Sequence, residues 1–155
     1  MVRVRYIIPN KLGTVDVNGG LCDILRQKIG SFGAVNVVES SPEVVHVFGL
    51  WTSAYVRRIK RFTDIGVPVV FTSLQGIAPL IDKEGSITCN MSRRANIRSI
   101  CSRCSSVVAC GPEETGLIER ISRNAPSVII PNSTFTSIID EEHMAEKYSE
   151  LYVDI

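Results

Sequence analysis

The sequence predicts an α/β domain, a Rossmann-like three-layer sandwich with a mostly parallel sheet of about six strands. Three observations predict it. Valine-rich runs of strand length alternate with segments of helical periodicity almost from end to end. Glycine and proline punctuate the boundaries between them. The chain has 155 residues, 45% of them apolar, enough for one core that buries most of its apolar surface and too few for a two-domain enzyme.

Each element follows from its own residues. Val2 to Pro9 reads as the first strand. After a loop containing Asn18, Gly19 and Gly20, residues Leu21, Ile24, Leu25, Ile29 and Phe32 recur at helical spacing, with Gly30 and Gly33 as stop signals. Ala34 to Val38 and Val44 to Phe48 are two short β runs separated by Glu39, Ser40, Ser41, Pro42 and Glu43. Parallel neighbours need a crossover of about a dozen residues, so these two strands are not adjacent parallel partners. Either one is antiparallel or a small strand lies on the sheet edge.

Thr52 to Ile65 resumes helical spacing through Tyr55, Ile59 and Phe62, closed by Gly66 and Pro68. Val67 to Thr72 reads as a buried strand, and residues 73 to 92 lack clear periodicity and are expected to form a loop. Ile97, Ile100, Cys101 and Cys104 share one helix face; Ser106 to Cys110 is a strand; Pro112 opens a helix with Leu117, Ile118 and Ile121 on its core side. Val128 to Ile130 is the last strand, stopped by Pro131. Ile139 to Tyr152 is a closing helix with Met144, Tyr148 and Leu151 on one side. The division expected is a body over 1–138 and an acidic helix over 139–155 packing on it.

Composition excludes several classes. Apolar content is too high for disorder, and no period of 20 to 50 residues repeats. No apolar stretch reaches the ~18 residues of a membrane helix, and Met1 to Pro9 lacks the pattern of a leader, so a cytoplasmic protein is expected. Five cysteines, Cys22, Cys89, Cys101, Cys104 and Cys110, suit reduced thiols. The net charge of +1 conceals an asymmetry: residues 1 to 139 hold 16 basic and 10 acidic groups, and residues 140 to 155 hold one basic and six acidic. A basic body suits an anionic partner, or is simply a solvated helix face.

Four constellations bear on chemistry. Asn18-Gly19-Gly20 opens a helix after a strand, where free amides attract phosphate and glycine lets the ligand approach; the same pair is also ordinary turn punctuation. The strand Val44 to Phe48 runs into Gly49 and the single Trp51 at its carboxyl end, where open α/β sheets bind ligands. Within it His46 reads more readily as a hydrogen-bonded core residue than as a base. Cys101 and Cys104 end a helix on its apolar face, which favours buried inert thiols over a metal or redox pair, so no metal is expected. Tyr55 to Phe62 is basic and amphipathic, a surface helix by default with peripheral membrane contact as the minority reading. Nucleic acid is not expected, because a binding motif and aromatic interleaving are both missing.

Taken in order, Gly19-Gly20 before a helix, Pro42 to Trp51, Gly66 to Thr72, Ser106 to Cys110 and Val128 to Asn132 resemble the N-terminal, acceptor-side domain of family 4 glycosyltransferases of the GT-B fold. The resemblance covers nearly residues 1 to 135. It implies transfer of a sugar from a nucleotide-sugar to a sugar or lipid acceptor, with no metal or other cofactor. The donor-binding half would be supplied elsewhere, by a separate chain or a homo-oligomer. Carried over, Gly19 and Gly20 border the donor diphosphate, while His46, Gly49, Trp51, Ser73 and Gln75 line the acceptor side. The histidine that the family often places after the Val67 to Thr72 strand is replaced by Ser73-Leu74-Gln75-Gly76, so no catalytic residue is assigned. The competing expectation is a non-catalytic Rossmann-like binding or interaction module.

Overall fold

The computed structural model describes residues 1–8, 19–74, 91–131 and 140–155, with the backbone alone at 19, 20 and 22. In chain order the elements are β1 (Val2–Ile7), α1 (Gly19–Ile29), a 3-10 turn (Gly30–Phe32), β2 (Val35–Val37), β3 (Val44–Gly49), α2 (Ser53–Thr63) and β4 (Val69–Ser73). There follow α3 (Met91–Arg103), β5 (Ser106–Ala109), α4 (Pro112–Ile121), β6 (Ser127–Ile129) and α5 (Glu141–Asp154). The six strands form one sheet in the order β2-β1-β3-β4-β5-β6, and every pairing is parallel. The sheet is the α/β sandwich expected from the alternating pattern.

The short link between β2 and β3 is resolved by register. Val37 and Val44 both pair with Val4, one on each side of β1. The link therefore crosses a single strand without climbing the length of the sheet, and six residues suffice for two strand spacings of about 4.8 Å each. β2 is the three-residue edge strand, and the antiparallel alternative is not adopted. Glu43 anchors the crossing: its Oε2 accepts from the Arg3 backbone N–H at 2.8 Å, which holds its carboxyl below the usual carboxylate range.

Each face of the sheet carries its own core. On one face Val4, Tyr6, Phe48, Val70 and Val108 pack beneath α1 and α5, which contribute Leu21, Leu25, Ile29, Met144, Tyr148 and Tyr152. On the other face Val45, Val47, Val69, Phe71 and Val107 pack against Ile59 of α2, Ile97 and Ile100 of α3 and Ile118 of α4. Strand alternation sorts them: in β3 the even-numbered side chains meet α1 and α5, and the odd-numbered ones meet α2 to α4. Gly33 and Gly66 sit at φ +70° and +78°, where a Cβ would be strained, and turn the chain into β2 and toward β4.

Several element boundaries differ from the sequence expectation by a few residues, and those at Phe32, Ser73 and Met91 have a physical reason. Phe32 is 39% exposed because α1 ends at Ile29 and the tighter 3-10 turn rotates it off the core face. Ser73 belongs to β4, and residues 91 and 92 open α3. That helix starts on Met91, Ser92, Arg93 and Arg94, a largely polar first turn with no apolar spacing to announce it. The remainder of the expected loop, 75–90, lies outside the described residues.

Candidate functional site

Adjacent parallel strands whose following helices go to opposite faces leave a crevice at their carboxyl ends. Here β1 leads to α1 on one face and its neighbour β3 leads to α2 on the other, so the switch falls between β1 and β3. The rim is built from Gly19 and Gly20 opening α1, Gly49 ending β3, Thr52 and Ser53 starting α2, and Ser73 ending β4. Gly49 and Ser73 are register partners, and the Leu74 N–H donates to the Gly49 carbonyl at 2.9 Å, which ties the two strand ends together.

Local chemistry explains the rim. Thr52 is extended and its carbonyl accepts from the N–H groups of Tyr55 and Val56 at 3.0 and 3.1 Å, but its hydroxyl does not cap the helix. Neither α1 nor α2 has an acidic residue in its first turn. By contrast Glu114 on α4 accepts from the Cys110 N–H at 2.7 Å, and Asp140 caps α5 through the Glu142 N–H at 3.0 Å. The two helices flanking the crevice thus begin with positive dipole ends not matched by acids in their own first turns, a setting that favours an anion.

Gly49 has a packing reason of its own. A Cβ there would stand 2.4 Å from Cδ1 of Tyr55, so the aromatic ring of α2 lies directly against the strand end.

His46 is fully buried mid-strand, beneath α5. Its Nδ1 lies 2.5 Å from the Tyr152 hydroxyl and its Nε2 lies 2.8 Å from Thr72 Oγ1, which in turn is 3.4 Å from the Tyr148 hydroxyl. A neutral imidazole offers one donor and one acceptor, and hydroxyls can complement either, so both nitrogens are satisfied without charge. Burial pushes its pKa well below the usual histidine value. The ring is a neutral structural tie between β3, β4 and α5, in keeping with the core reading of this residue, and it does not reach the rim.

Trp51 is 6% exposed and packs on Phe71 with ring centroids 4.8 Å apart, among the residues facing α2 to α4. The indole and the imidazole therefore lie on opposite sides of the sheet, and the structure does not bring them together in one cleft. It does bring Gly49 and Ser73 together, with Ser73 itself buried, while Asn18 and Gln75 lie outside the described residues.

What the sequence reading missed is the set of partners of His46. Thr72 appears there only as the end of a strand, and Tyr152 only as the end of a helix. The available signal was the i, i+4 spacing of Tyr148 and Tyr152, which places two hydroxyls on one helix face.

Cys101 and Cys104 are buried free thiols; burial raises Cys101 to about 11 and pushes Cys104 higher still. Among the described residues no cluster of ligating side chains could hold a metal, and no helix is long and apolar enough to cross a membrane. No family model matches the chain, and neither a curated protein nor a solved structure matches it.

Proposed function

We propose that this chain is an acceptor-side domain of glycosyltransferase type, which contributes to moving a sugar from a nucleotide-sugar to a sugar or lipid acceptor when donor-binding residues are supplied elsewhere. The observation that carries the reading is the switch between β1 and β3, with Gly19 and Gly20 opening α1 at its rim. Departure of a nucleoside diphosphate leaves negative charge on the phosphates, and a helix N-terminus approached through glycine is suited to stabilise part of it. The remaining stabilisation falls to the donor-binding residues.

A second reading, a non-catalytic binding module, is favoured by one specific observation. The only histidine of the body is spent on Tyr152 and Thr72, and the tryptophan is spent on Phe71. Calorimetric titration with UDP-glucose and GDP-mannose, followed by transfer assays in the presence of candidate partner chains, separates the two. Turnover with a partner chain supports the transferase reading; saturable binding without turnover across partners supports the module; neither binding nor turnover in any mixture contradicts both.

A further inference from the structure

Away from the crevice between β1 and β3, the carboxyl-terminal halves of α3 and α4 flank an open concavity of about 750 Å³. It is lined by Arg98, Ser99 and Ser102 of α3 and by Arg120, Ser122 and Arg123 at and after the end of α4, with Ile121 at its base. Three arginines and three serines thus line one hollow, and the Ser102 hydroxyl donates to the Ser99 carbonyl at 3.1 Å. Among the described residues, none of the ion pairs involves Arg98, Arg120 or Arg123.

Cations at helix C-termini complement the helix dipole, and Arg98 does so directly: its Nε donates to the Ile121 carbonyl at 2.9 Å. That bond uses one nitrogen and holds the planar group in place, leaving the terminal nitrogens of the same fork to other acceptors. A capping role does not account for Arg120 and Arg123 as well, which are exposed and unpaired by carboxylates among the described residues. Asn124 then adopts a left-handed conformation at φ 64°, which turns the chain after Arg123 toward β6.

We propose that this concavity is a binding site for a compact anion bearing two or more phosphate groups. Guanidinium forks bind phosphate oxygens through paired charge-assisted hydrogen bonds. Three cations spaced around one hollow match a clustered polyphosphate better than a single carboxylate. The site is separate from the crevice between β1 and β3, since it lies where α3 and α4 end and not where α1 and α2 begin. Its occupation does not depend on the proposed transfer activity.

The test is titration of the full chain with tripolyphosphate and, separately, with a short single-stranded DNA, read by calorimetry, alongside flotation with vesicles containing phosphatidylinositol 4,5-bisphosphate. The expected result is saturable one-to-one binding of tripolyphosphate, weakened about tenfold by either Arg120→Gln or Arg123→Gln and unchanged by Arg57→Gln on α2. Binding of tripolyphosphate without flotation identifies a soluble ligand. Flotation that the same two substitutions abolish identifies a phosphorylated headgroup. The proposal is overturned by an absence of saturable binding, by equal sensitivity to Arg57→Gln, or by DNA binding tighter than that of tripolyphosphate. Circular dichroism of each variant confirms that it remains folded.

Discussion

Lowering the pH should destabilise this fold through His46. The ring is fully buried and its pKa is depressed by loss of solvent, while its neighbours are the rings of Tyr6, Phe48, Tyr148 and Tyr152 and the hydroxyl of Thr72. None of these supplies a negative charge to stabilise an imidazolium. Above the ordinary histidine pKa of about 6.5 the ring is neutral in both folded and unfolded chains, and its contribution does not vary with pH. Below that value the unfolded chain takes up a proton that the folded chain refuses, so stability falls by about 1.4 kcal/mol per pH unit until the depressed folded pKa is reached. Urea unfolding of the wild type and His46→Phe between pH 7.5 and 5 isolates the effect, because the variant lacks this titration. At pH 7.5 the variant is the weaker by about 1–3 kcal/mol, having left two buried hydroxyls without the imidazole. The difference between the two proteins then shrinks as the pH falls. A difference that stays constant over this range would refute the reasoning, as would a His46 ring NMR signal that titrates at the ordinary histidine value in the folded protein.

Three further outcomes follow from the same contacts. Tyr152→Phe removes the hydroxyl at His46 Nδ1 and should lower unfolding free energy by about 1–3 kcal/mol; combined with Thr72→Val, the total should differ from the sum of the single effects, because both act on one ring. Gly49→Ala drives a methyl into the Tyr55 ring and should cost about 1–3 kcal/mol in urea denaturation, with Tyr55→Ala relieving most of it when the two are combined. Thiol titration at pH 8 should find Cys101 and Cys104 unreactive in the folded protein and fully reactive in denaturant, with the less buried Cys110 modified first.

The sheet was legible because its evidence is local. Valine-rich runs of strand length, bounded by Gly66 and Pro68 or by Pro131, specify strands wherever they are placed, and the length of the link after Val38 was enough to forbid adjacency of β2 and β3. The register that lets Val37 and Val44 share Val4 was not legible, since the Glu43 contact with Arg3 that fixes the crossing joins residues 40 apart and has no local signature. The candidate site was legible in its backbone part, Gly49 and the opening of α1, because turn chemistry is carried by glycine itself. Its side-chain part was not. His46 and Tyr152 are 106 residues apart, and only the docking of α5 makes them neighbours. The separation of His46 from Trp51 had a readable sign in the alternation of β3, where Phe48 shares the side of His46 while Val45 and Val47 share that of Trp51.

The most direct test of the proposed ligand site is an amide NMR titration of the full chain with UDP-glucose. Binding at the switch between β1 and β3 predicts saturable shifts at Gly19, Gly20, Gly49, Thr52, Ser53 and Ser73, whether or not the diphosphate also enters the separate hollow at the end of α4. Shifts confined to α3 and α4, or an unchanged spectrum at saturating nucleotide-sugar, would contradict it.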